Sequence, residues 1–132
     1  MQFVAICDVK LERRLAVKKM ADELNGNQDC AMYRDLRELL ARPDIDATLI
    51  ATGPNWHATA AIMAANAGKD VYCEKPSTKN IAQSLALAEA FRRTGRVFQA
   101  GTQRRSLPNF GFAAELARRG QQASKGLRTS HA

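Results

Sequence analysis

No apolar run in this sequence approaches the ~20 residues that a membrane-spanning helix needs, and the N-terminus lacks the basic-then-apolar layout of a secretory signal. A cytoplasmic protein without a membrane partner is the expectation. Cysteine is sparse: Cys7, Cys30 and Cys73 are an odd number, widely separated, with no C-x-x-C pair. That spacing argues against a disulfide framework and against a zinc site, so they read as buried thiols and no metal is expected. Acidic residues all but vanish from the last third, where residues 92–132 hold nine Lys/Arg against Glu115 alone, while residues 1–91 hold 11 against 12. The whole net charge of +7 therefore resides there. Arg92, Arg93, Arg118 and Arg119 fall in predicted C-terminal helix turns, where cations offset the helix dipole. With aromatics at only 6%, no stacking platform accompanies these cations, and nucleic acid is not an expected partner.

What is present is ordinary for a globular domain: 132 residues, 45% hydrophobic and 25% charged, enough to bury a core. Short apolar runs alternate with helical patterns, the sign of βα units and a parallel sheet. Phe3–Cys7 reads as a strand buried on both faces. Leu11, Leu15, Val17, Met20, Ala21 and Leu24 then recur at helical spacing until Asn25-Gly26, which tolerates left-handed backbone. Cys30–Tyr33 is a weak strand, followed by a helix over 34–42 that Pro43 ends. A strand at Ala47–Ala51, a helix over 55–67 ended by Gly68, a strand at Val71–Cys73, a helix over 81–93 and a strand at Val97–Ala100 complete the alternation. An amphipathic helix over 109–119 is expected to pack with Phe110, Ala113, Ala114 and Leu116, and residues 121–132 read as a polar, frayed tail.

Two of these strands run into polar clusters. Ala47–Ala51 continues as Thr52-Gly53-Pro54-Asn55-Trp56-His57, and Gly68-Lys69-Asp70-Val71-Tyr72-Cys73 continues as Glu74-Lys75-Pro76. In an open parallel sheet, ligands bind just beyond the carboxyl ends of strands, so both clusters are placed to touch a substrate or cofactor. Asp8 follows the first strand in the same way; read from the residues alone, it either meets a ligand or caps the helix near Leu11. Likewise, Glu74-Lys75 alone reads equally as a surface ion pair at a strand end.

Together with Val4–Val9, Tyr33–Leu40, Pro43–Ala47 and Gly95–Ser106, these clusters resemble the nucleotide-binding half of the glucose-fructose oxidoreductase/inositol dehydrogenase (Gfo/Idh/MocA) family. The resemblance covers roughly residues 3–120 and implies an α/β, Rossmann-like, doubly wound parallel sheet. It implies NAD or NADP as cofactor, with NAD favoured because Asp8 would accept hydrogen bonds from a ribose diol and repel a 2′-phosphate; Lys10, Arg13 and Arg14 soften that preference. Thr52, Gly53, Pro54, Asn55 and His57 would line the cofactor trough, with Trp56 either stacking there or packing as core, and His57 otherwise a first-turn residue without a ligand. Lys75 would be the catalytic residue, reaching the nicotinamide ribose and the substrate hydroxyl, with Glu74 holding it by charge and Pro76 shaping the turn through a bond that is commonly cis in the family. Gln103, Arg104 and Arg105 would lead toward the nicotinamide, an arginine there suiting an anionic group. Relatives often have Thr-Pro where this chain has Thr52-Gly53, with proline displaced to position 54.

The eight glycines nowhere form the Gly-x-Gly-x-x-Gly turn of a dinucleotide fold, and the chain opens at what would be the family's second strand. A partial Rossmann domain over 1–120 is the expectation, lacking its first strand and Gly-rich loop, with the substrate domain absent. Either strand 2 then pairs with strand 4, or two sheet fragments carry free edges. The chain reads as an internal piece of a longer, homo-oligomeric enzyme that moves a hydride between a nicotinamide and a hydroxyl-bearing carbon of a sugar or polyol. Alone it is expected to bind cofactor weakly and turn nothing over. Redox-assisted glycoside cleavage and a non-catalytic binding fragment are the rival readings.

Overall fold

The computed structural model describes residues 2–120. Strands and helices alternate: β1 (Ala5–Cys7), α1 (Leu11–Asn25), β2 (Ala31–Tyr33), α2 (Leu36–Leu40), β3 (Ala47–Ile50), α3 (His57–Asn66), β4 (Asp70–Glu74), α4 (Ile81–Thr94), β5 (Phe98–Gly101), a 3-10 turn (Gln103–Ser106) and α5 (Pro108–Arg118). Local chemistry sets the boundaries. Gly26 and Gly95 end α1 and α4 at φ +71° and +66°, left-handed backbone that a side chain would disfavour. Asn80 starts α4, its side chain accepting the Gln83 N–H at 2.9 Å. Helix α2 is shorter than the residues 34–42 expected, because Asp35 stays extended as its N-cap and accepts the Arg37 N–H at 2.9 Å.

Every strand pair is parallel, in two separate sheets. β1 pairs with β2, Ala5 opposite Ala31. The second sheet runs β3-β4-β5, with Ile50 opposite Cys73 and Glu74 opposite Gly101. Of the two arrangements expected without a first strand, the structure adopts the second: β1 and β3 each keep one unpaired edge among the described residues.

The core gathers around the three-stranded sheet. Ala60, Ala61, Ala64 and Ala65 are buried along α3, small enough to let that helix approach β4 and α4 closely, and Val71, Cys73, Leu87, Phe91 and Ile50 close the space between. The Phe91 and Phe98 rings meet edge-on at 5.1 Å. Helix α1 departs from expectation. Of its periodic apolar residues only Ala21 is buried, while Leu11, Leu15, Val17, Met20 and Leu24 are exposed. Its more buried side carries polar residues instead. Lys18 donates to the Gln28 and Cys30 carbonyls at 2.8 Å each and pairs with Asp22, which accepts the Cys30 N–H at 3.0 Å. Asn25 donates to the Phe3 carbonyl at 2.8 Å and accepts the Phe3 N–H at 3.4 Å. The reason is arithmetic: three-residue strands leave much of the neighbouring backbone unpaired, and buried backbone groups require partners.

All three cysteines are free; Cys30 and Cys73 are buried, but Cys7 only partly. Burial, then the nearby Glu74 charge, pushes the Cys73 thiol up to about 11, so it is a neutral packing group.

The chain divides into two compact units, residues 1–101 and residue 102 onward. In the second, Arg104 stands 5.4 Å above the Phe110 ring. Helix α5 buries no residue, and Phe110 and Phe112 are exposed, so the apolar packing expected of it is not seen. The tail expected at 121–132 lies outside the described residues. No described helix is long and apolar enough to cross a membrane.

Candidate functional site

Parallel pairing brings the carboxyl ends of β3, β4 and β5 to one rim. Because Ile50 stands opposite Cys73, Thr52 and Lys75 each lie two residues beyond a matched pair, on adjacent strands. The rim is shaped first at Gly101. A Cβ there would sit 3.1 Å from Glu74 Cα, Cδ and Oε1, so glycine lets Glu74 pack against β5 without the shift of a few tenths of an ångström that a larger residue would require. From that position Glu74 Oε2 accepts the Lys75 backbone N–H at 3.2 Å. Lys75 itself is exposed, and the Lys75–Pro76 peptide bond is cis.

Beyond β3 the chain turns sharply. The Gly53 carbonyl accepts the Trp56 N–H at 3.0 Å, with Pro54 and Asn55 at the centre of the turn, where proline's fixed φ suits the geometry. Thr52 through Trp56 are exposed, and nothing lies within 4 Å of where a Gly53 side chain would be, so the backbone there is open to approach. Trp56 is 61% exposed, which removes the core-packing reading of it. Lys79 Nζ donates to Asn55 Oδ1 at 2.6 Å, tying this turn to the segment after β4.

Of the two readings of His57, the structure matches the first-turn residue: it begins α3, with its ring turned inward. It is 2% exposed, with Nδ1 2.7 Å from the Pro76 carbonyl oxygen and Nε2 2.8 Å from that of Thr52. Both ring nitrogens are used by the protein, leaving none for a cofactor.

Asp8 ends β1, in the other sheet. Its N–H donates to the Tyr33 carbonyl at 3.3 Å, and its Oδ1 accepts the Lys10 N–H at 2.8 Å, as a residue capping the turn into α1 would. Oδ2 lies 3.8 Å from Arg13, and Arg14 donates to the Asp8 carbonyl, so two guanidinium groups stand around this acid. Thr52, Gly53, Pro54, Asn55, Glu74, Lys75 and Pro76 thus share adjacent strand ends, Asp8 ends the neighbouring sheet's β1, and Gln103 and Arg104 belong to the second unit.

Sequence reasoning gave no role to Gly101, Lys79 or Lys69. Lys69 is 7% exposed and donates to the Arg42 carbonyl at 2.7 Å, joining the approach to β4 with the segment after α2. A lysine is rarely so buried, and its residue type offered no signal.

Comparison with known proteins finds this chain similar to part of several dehydrogenases. The model of an oxidoreductase family with an NAD-binding Rossmann fold matches residues 1–102. The chain is 31% identical over 116 residues to myo-inositol 2-dehydrogenase of Thermotoga maritima, covering 88% of this chain and 33% of that protein. It is 38% identical over 79 residues to scyllo-inositol 2-dehydrogenase (NAD(+)) of Bacillus subtilis, covering 60% and 23%. Among solved structures, scyllo-inositol dehydrogenase of Lactobacillus casei with bound NAD(H) and scyllo-inositol superimposes with a TM-score of 0.70 at 25% identity, over 94% of this chain and 34% of that one. The chain therefore spans about a third of the length of the Thermotoga and Lactobacillus proteins.

Proposed function

The chain belongs to the oxidoreductase family with the NAD-binding Rossmann fold, and on that premise we propose that it carries the nicotinamide-facing rim of an enzyme oxidising a hydroxyl-bearing carbon of a sugar or polyol. The observation that carries this reading is the paired exit of β3 and β4, where an exposed lysine stands beside an uncovered glycine turn. Those residues suit the nicotinamide end of the cofactor. Gly53 leaves backbone free for close approach, and Lys75 supplies an exposed cation directly after β4.

When bound, the cofactor supplies the hydride acceptor. Lys75 would donate hydrogen bonds to the substrate oxygen and to the adjoining ribose, stabilising the alkoxide-like charge formed as a general base takes the hydroxyl proton, a charge that is discharged into the carbonyl as hydride passes to the nicotinamide. Glu74, laid across Gly101, fixes the lysine's backbone so that the ammonium emerges at the rim. Asp8 accepts from the far ribose and favours NAD, and Arg13 and Arg14 temper that preference. Arg104 and Gln103 are assigned to an anionic group of cofactor or substrate. The inositol substrates named for the relatives support the polyol class.

The test exchanges residues 1–102 for the matching segment of the Thermotoga relative and follows inositol-dependent NADH formation. Lys75→Ala should lower kcat by about 100-fold or more and weaken cofactor binding by a smaller factor, as expected for a group that acts mainly in the transition state but also holds the ribose. Undiminished turnover in Lys75→Ala would leave only a binding module.

A further inference from the structure

The His57 ring is wedged between two carbonyl oxygens: Pro76 on the segment after β4, 2.7 Å from Nδ1, and Thr52 on the turn after β3, 2.8 Å from Nε2. Which nitrogen donates depends on the tautomer. The ring is 2% exposed, so the bridge between the two segments is made inside the protein, away from water.

We infer that His57 is a positioning residue, a buried bridge that sets the separation of the two turns bearing the cofactor-facing side chains. It acts on Lys75 through the next residue, because holding the Pro76 carbonyl fixes the backbone immediately after the lysine. It acts on Gly53 through the preceding residue, because the Thr52 carbonyl is its second anchor. The ring is seated where it can do this without touching a ligand: it is the first residue of α3, carried down into the core by Ala58, Ala60 and Ala61, all buried behind it. Lys79 to Asn55 is a parallel tie between the same two segments, but an exposed one, and an exposed side-chain bond contributes little rigidity. His57 is the buried member of the pair, so it carries the alignment. The inference rests on the Lys75 reading above for its catalytic meaning, though not for its geometry.

The experiment uses the full 132-residue chain. His57→Phe fills the same space without donors, and should speed amide exchange in residues 52–56 and 74–79 by about tenfold relative to β5, with His57→Gln, which keeps an N–H donor, falling between. NADH titration then separates the two ideas. Bridge and rim both correct, His57→Phe and Lys75→Ala each weaken NADH binding, and His57→Gln recovers part of the loss. If exchange quickens in His57→Phe while Lys75→Ala leaves NADH binding unchanged, the bridge stands and the Lys75 reading falls. If Lys75→Ala weakens binding while His57→Phe changes neither exchange nor affinity, the bridge is wrong and the rim survives.

Discussion

The two sheets of residues 1–101 are held by opposite means. Around β3-β4-β5 the helices turn alanine, leucine and phenylalanine inward, and the stabilising term is apolar burial. Around β1-β2, helix α1 turns Lys18, Asp22 and Asn25 toward the strands and leaves its leucines and methionine to solvent, so backbone capping carries the contact. The contrast bears on the site. The rim at Thr52 and Lys75 stands on the apolar half, whereas Asp8 stands on the half held by hydrogen bonds, each of which contributes only ~0.5–1.5 kcal/mol net. A cofactor gripped at both places would meet one preorganised end and one that gives.

The strongest way to break this contrast is to remove the largest side chain from the apolar half. Phe91 is buried and packs edge-on against Phe98, and its truncation leaves a cavity between α4 and the sheet. Phe91→Ala should cost ~3–5 kcal/mol in denaturant unfolding, enough to threaten folding altogether. Leu15→Ala in α1, exposed by about half, should cost under ~1 kcal/mol on the same scale. Equal losses would mean that the two halves are packed alike.

Much of the architecture was legible in advance, and the reasons are local. Gly26 and Gly68 sit at positive φ where the sequence placed helix ends, and the apolar runs at residues 47–50 and 71–73 became adjacent strands of one sheet. The cluster at Glu74-Lys75 was legible because a charged pair directly after a buried strand has nowhere to go but the rim. The orientation of α1 was not. Helical periodicity says which residues share a face, but not which face the protein covers, and the decisive partners, the unpaired carbonyls of Gln28 and Cys30, exist only after the strands have formed. The place of His57 in the first turn of α3 was legible, but its burial was not, for a similar reason. Its neighbours in sequence made it look like part of an exposed turn, while its ring is claimed by a carbonyl 19 residues away.

A smaller effect sharpens the comparison at the junction of α1 with the start of the first strand. Asn25 both donates to and accepts from the backbone of Phe3, using its amide as a substitute strand. Asn25→Ala should therefore cost ~1 kcal/mol, the net worth of such pairing. Asn25→Leu is the more telling variant: it adds apolar surface on the inward side of α1, yet it should be no more stable than the alanine form, because it leaves the same backbone groups unpartnered. Thermal unfolding that ranks Asn25→Leu above the parent would show that α1 is held by apolar burial after all.

The smallest effect belongs to the outward side of α1. Met20 and Leu24 are 68% and 71% exposed, so roughly a third of each side chain's surface leaves water on folding. Full burial of such a side chain is worth ~1.5–3 kcal/mol, and the helix propensity of glutamine is close to that of both residues. Replacing either with glutamine should accordingly shift stability by no more than ~0.5–1 kcal/mol, while the pair together should reduce self-association in sedimentation at high concentration, because contiguous exposed apolar surface favours contacts between molecules. The two readouts answer different questions. A loss above ~2 kcal/mol would be too large for a side chain already in water, and would mean that something in the folded chain covers this flank and that the polar face of α1 is not what holds it.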